Sequence, residues 1–132
     1  MKGEKTTLDD LLVDEEELSE ELISSLLEKY IRIGKQSGEL LPEPSFQELS
    51  TKQKTAVTLL TQRAKHKLDV AESEWLSPSE ISSLSGVKKG TIYPVVRTLE
   101  EEGIAENEDG SYRIPGHGVR KVQQLIEGGD DE

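Results

Sequence analysis

The sequence predicts an α+β chain, mainly α, whose helical core runs into a β-hairpin. Three observations carry that prediction. Ser50-Thr51-Lys52-Gln53 and Ser77-Pro78-Ser79-Glu80 each set a hydroxyl three residues before a Gln or Glu, the reciprocal capping box that opens a helix. Ile92, Val96 and Leu99 recur at helical spacing and leave the opposite face free. Asp109-Gly110 then separates two short extended segments, Ile104 to Asn107 and Ser111 to Ile114, as a tight hairpin turn requires.

From the N-terminus, Thr7-Leu8-Asp9-Asp10 is expected to cap a short helix through Val13. Asp14-Glu15-Glu16-Glu17 places carboxylates at the positive end of a longer helix. Leu18, Leu22, Leu26 and Tyr30 line one side of it, with Ile23, Leu27 and Ile31 beside them. So wide a stripe must be covered, either by the rest of the chain or by a second copy, and the sequence leaves both open. Tyr30 to Ile33 and Glu39 to Leu41 read as a hairpin around Gly34 to Gly38, closed off by Pro42 and Pro44. Residues 7–49 therefore form an extension of helix and hairpin, and residues 50–127 a second unit. Residues 1–6 and the acidic tail 128–132 are expected to be disordered.

The second unit opens with a helix from Ser50 to about Leu68, with Ala56, Val57, Leu60 and Ala64 as its apolar stripe. A short helix from Pro78 to about Leu84 buries Ile81 and Leu84, and Ser85-Gly86-Val87 turns the chain into the next helix, Lys88 to Glu102. Pro94 is expected near its first turn, where a missing N–H matters little. Gly103 ends it. After the hairpin, Val119, Val122 and Ile126 mark one side of a last helix starting near Gly116 to Gly118, packed on the first core helix or on a symmetry mate. Three helices followed by a hairpin make a winged helix-turn-helix core, here with an N-terminal helix and β-hairpin extension.

Gly90-Thr91-Ile92-Tyr93-Pro94-Val95-Val96-Arg97-Thr98-Leu99-Glu100-Glu101-Glu102-Gly103-Ile104 is similar to the recognition-helix signature of PadR-like transcriptional regulators. The resemblance covers about residues 50 to 115. It implies a winged-helix DNA-binding domain that acts as a dimer. Such regulators follow the wing with a longer helical dimerisation region, whereas only 18 residues follow Ile114 here. Their effector responses are therefore not carried over.

A formal net charge of −11 opposes nucleic-acid binding if taken as a sum. Its distribution changes the argument. Residues 1–50 carry 5 basic and 13 acidic side chains, residues 51–100 carry 8 and 5, and residues 101–132 carry 3 and 9. The positive segment is the one that holds the core helices. Lys88 and Lys89 are expected to meet phosphates, Gly90 and Thr91 to permit or make backbone contact, and Tyr93 and Arg97 to reach base edges in a major groove. Lys52, Lys54 and Arg113 are further candidate phosphate contacts. Glu106, Glu108 and Asp109 make the hairpin acidic, so the alternative expectation is an adaptor that meets a protein through the wing or the N-terminal helix.

With no cysteine, a disulfide framework or cysteine-based zinc site is excluded. His66 and His117 stand alone, and no nucleophile elbow, phosphate loop or metal-ligand spacing is present. No catalytic residue, metal or cofactor is expected. No apolar run reaches bilayer-spanning length and the N-terminus lacks a secretory core, so a cytoplasmic chain without membrane contact is expected. The expected partners are double-stranded DNA and a second copy of the chain.

Overall fold

The computed structural model describes residues 7–128; the segments 1–6 and 129–132, expected to be disordered, lie outside the described residues. It is an α+β structure, mainly helical. The order is a 3-10 turn at Leu8–Leu11, α1 (Glu15–Leu27), β1 (Ile31–Ile33), β2 (Leu40–Pro42), α2 (Pro44–Gln47), α3 (Thr51–Lys67), α4 (Pro78–Ser85), α5 (Lys89–Glu101), β3 (Glu106–Glu108), β4 (Ser111–Arg113), a 3-10 turn at Gly116–Gly118, and α6 (Val119–Glu127).

Helix α3 is the hub. Ser50 caps it, with Ser50 Oγ accepting from Gln53 N–H at 3.1 Å and Gln53 Oε1 accepting from Ser50 N–H at 2.9 Å. Ala56, Val57, Leu59 and Leu60 are fully buried, so the core face is wider than the expected stripe, which lacked Leu59. Thr55, Thr58 and Thr61 are buried as well. Their hydroxyls donate to the carbonyls of Thr51, Lys54 and Val57 one turn back, so these three side chains are enclosed with their hydroxyls satisfied. Helices α1, α4, α5 and α6 and strand β4 all pack on it.

The N-terminal extension joins this core. Ile23, Leu26 and Leu27 of α1, Ile31 of β1 and Phe46 of α2 belong to one hydrophobic cluster with Leu60, Ile81, Ile92 and Val122. Helix α1 packs on α3 and α6 of its own chain. Its covered face starts later than the predicted stripe: Leu18 is 44% exposed, and the helix ends before Tyr30. The expected helix through Val13 is only the 3-10 turn, with no buried residue. Pro42 does not lie outside the hairpin but pairs with Ile31, since an edge strand spares its missing N–H. Pro44 opens α2, which the periodicity did not show because it is a single turn.

Helices α4 and α5 follow the expected punctuation. Ser77 and Glu80 form the capping box of α4, Pro78 occupies its first turn, and Gly86 at φ +81° ends it. A side chain at that φ would be strained. Ser82 Oγ donates to Val87 O at 2.6 Å and Ser85 Oγ accepts from Val87 N–H at 3.1 Å, locking the turn into α5. Ile92, Val96 and Leu99 are fully buried on α5. Pro94 departs from the expectation. As the sixth residue of a helix that starts at Lys89, it lies past the first turn, where it removes the bond to the Gly90 carbonyl.

The second hairpin is shorter than expected, because Ile104 and Ala105 enter the core instead of the ladder. Asp109 (φ 55°) and Gly110 (φ 86°) give the two-residue turn whose twist matches its strands. Tyr112 also pairs with Leu76, ahead of α4, through two backbone bonds of 2.8 and 2.9 Å. Helix α6 buries Val119, Val122 and Leu125, with Ile126 at the margin, against α3 and α1. Gly128, expected in the disordered tail, is its C-cap and donates to Gln124 O at 2.7 Å.

Candidate functional site

Of the five helices of eight residues or more, α1, α3 and α4 begin with side-chain caps, whereas α5 and α6 do not. Asp14 accepts from two backbone N–H groups of α1, and the capping boxes of α3 and α4 are complete. Helix α5 has none of this. Lys88 is its N-cap and makes no side-chain cap bond, the first turn carries no acid, and Lys89 and Gly90 follow. Lysines at the positive end of a helix dipole and a glycine in its first turn are each unfavourable for the helix alone. The uncapped N-terminus and the two lysines together give this end of α5 a positive character.

Lys88, Lys89, Gly90, Thr91, Tyr93, Pro94 and Arg97 are all exposed, Tyr93 by 45%. Gly90, Tyr93 and Arg97 are spaced by three and four residues and so stand in line as the outermost ridge of α5. Among the described residues, Lys88, Lys89 and Arg97 form no ion pair. A Cβ built on Gly90 meets nothing within 4 Å, so the backbone lies open to close approach.

Two concavities flank the ridge. On one side a groove of about 440 Å³ runs between the start of α3 and α5, lined by Ser50, Thr51, Thr91, Pro94, Val95 and Thr98. On the other a cleft of about 480 Å³ separates α5 from the β3–β4 hairpin, with Trp75 and Asn107 beside Glu100, Glu106 and Glu108. The ridge is thus basic at its start and bordered by carboxylates at its end. Burial raises the pKa of the Tyr112 hydroxyl, Glu100 raises it further and Arg97 opposes, so this part of α5 is electrostatically in touch with the hairpin.

The remaining candidates are placed differently. Lys52 is held by Glu102 at 2.9 Å, and its side chain is only 13% exposed. Lys54 is half-buried on α3. Arg113 binds Glu106 at 2.9 Å and Glu74 at 3.2 Å and lies 4.6 Å from the centre of the Trp75 ring. Arg63 meets the same Glu74 at 3.0 Å. Arg113 is therefore a strut that ties the hairpin to α3 through Glu74. Sequence reasoning missed this network, because Arg63, Glu74, Trp75 and Arg113 share no spacing; the lone tryptophan just before Leu76 was the only cue.

Among the described residues no three His, Asp or Glu side chains are grouped so as to hold a metal ion, and no helix is long and apolar enough to cross a membrane. Comparison with protein-family models, with curated proteins and with solved structures found no match.

Proposed function

We propose that the chain is a winged helix-turn-helix protein, PadR-like in its reading helix, that binds double-stranded DNA sequence-specifically and regulates transcription. The element order supports this reading: α3, the bridging residue Leu76, α4, a three-residue turn, α5 and a hairpin that pairs back to Leu76. The observation that carries it is the start of α5, uncapped and bearing two lysines without ion pairs. Helix α5 enters the major groove by that end. Lys88 and Lys89 neutralise phosphates, Gly90 and Thr91 let the backbone close in, and Tyr93 and Arg97 reach base edges. Lys52 and Arg113 support α5 and the hairpin from behind, and Lys54 is a secondary phosphate contact. The acidic hairpin stays clear of the duplex, since its carboxylates would repel phosphates. A two-fold dimer on the operator belongs to the same reading.

Anisotropy titrations of labelled genomic fragments at two salt concentrations test it. Alanine at Lys88 or Lys89 is expected to weaken all sequences alike and to flatten the salt slope by about one counterion per lost contact. Arg97→Ala is expected to cost about 1–3 kcal/mol on the preferred site and to relax specificity at one position. Equal losses on preferred and random DNA would remove the base-reading role. Absence of any salt-sensitive binding would favour a second reading, a protein-interaction adaptor, for which the acidic cleft around Glu100, Glu106 and Glu108 is the specific support.

A further inference from the structure

The ridge on α5 has a counterpart on the same chain. Leu8, Leu11, Leu12 and Val13 are between 59% and 83% exposed, four large apolar side chains within six residues that nothing in the protomer covers. Contiguous apolar surface of this kind marks a contact site. Along the chain their charge has one sign: residues 7–28 contain nine carboxylates and no lysine or arginine. Asp9, Asp10, Glu15 and Glu17 form no ion pair among the described residues.

Charge decides what can cover this segment. DNA would be repelled, and the same segment of another copy would set carboxylate against carboxylate. A fitting surface is basic, exposed and partly apolar. Lys88, Lys89 and Arg97 around exposed Tyr93 and Pro94 have that character.

The two surfaces do not meet within one chain. Glu16 and Glu20 are tied to Lys67, which fixes the start of α1 at the C-terminal end of α3. The Lys67 ammonium, which is hydrogen-bonded to Glu16, lowers the pKa of that carboxyl. The α5 ridge lies over the opposite end of α3, where Thr91, Pro94 and Thr98 face Ser50 and Thr51. A helix of 17 residues is about 25 Å long, and a four-residue 3-10 turn spans only about 8 Å.

We propose that residues 7–17 of one chain dock on the α5 ridge of a second copy, and the second chain's segment on the first chain's ridge, in a reciprocal two-fold exchange. Leu8, Leu11 and Leu12 pack against Tyr93 and Pro94 while Asp9 and Asp10 face Lys88 and Lys89. The docking is independent of nucleic acid. Its consequence, that the exchanged pair is the DNA-free state and that DNA and the second copy compete for α5, rests on the function proposed above.

Light scattering or sedimentation of the full chain, without DNA and over a hundredfold range of concentration, tests the exchange. Wild type is expected to self-associate. Asp9→Lys/Asp10→Lys and Lys88→Glu/Lys89→Glu are each expected to weaken association by about tenfold or more. An equimolar mixture of the two variants should recover it, because each mixed pair joins one native contact and one charge-swapped contact. Leu8→Ser/Leu11→Ser/Leu12→Ser, which changes no charge, should weaken it as well. A wild-type monomer throughout, association indifferent to these changes, or a mixture that fails to recover would overturn the proposal. Adding a duplex then separates the two ideas: dissociation of the pair supports competition, whereas an exchange-competent chain that ignores DNA removes the DNA reading and leaves the exchange standing.

Discussion

Helices α4 and α5 are neighbours separated by three residues, yet they are built on opposite terms. Helix α4 has a complete capping box, proline in its first turn and a left-handed glycine at its end. Helix α5 has no side-chain cap, lysine at N-cap and N1, glycine next, and proline in its interior. Each bears fully buried isoleucine, Ile81 in α4 and Ile92 in α5. The inner faces obey the same packing rule while the start and outer face of α5 break the local rules of helix formation. That contrast between the two faces of α5 is what the DNA-reading role proposed above rests on.

The comparison can be broken first at the inner faces. Ile81→Ala and Ile92→Ala are each expected to cost about 2–5 kcal/mol, since both remove a fully buried side chain from one shared core. Urea unfolding monitored by Trp75 fluorescence would check this. A loss in α4 alone would mean that α5 is not part of the core. Pro94→Ala probes the outer face: restoring a helical N–H toward Gly90 O is expected to stabilise by about 2–3 kcal/mol. A neutral or destabilising result in thermal unfolding would show that the proline is accommodated and that the contrast with α4 is smaller than drawn. The smallest effects come from the caps. Ser77→Ala should cost about 1 kcal/mol, and Lys88→Asp should gain about as much while weakening the DNA binding proposed above. Stability and binding moving together at position 88 would dissolve the contrast.

Much of this was legible in the sequence, for reasons that lie close together along the chain. Capping boxes, the Ile92–Val96–Leu99 stripe and the Asp109-Gly110 turn are local, and the structure reproduces them within a residue or two. The exposed ridge followed from the stripe, because a helix with one buried face offers the other. What was not legible depends on partners far away in sequence. Leu18 matches the periodicity of Leu22 and Leu26 but projects past the edge of the core. Arg113 was indistinguishable from a free cation until Glu74, Glu106 and Trp75 stood around it. Lys52 likewise is taken up by Glu102, 50 residues away. Pro94 was misplaced for a different reason: expecting the helix to tolerate it in the first turn presumed a stability argument that this helix does not follow.

The pairing of Leu76 with Tyr112 has a consequence for how the molecule opens. Two backbone hydrogen bonds close the chain between residues 76 and 112 into a loop that contains α4, α5, β3 and the β3–β4 turn. Glu74, Trp75 and Arg113 clasp the same neck from the side. The enclosed helices share that one clasp, so they should exchange their amide hydrogens as a single cooperative unit rather than fray separately. The uncapped start of α5 is then carried on a segment that yields all at once or not at all.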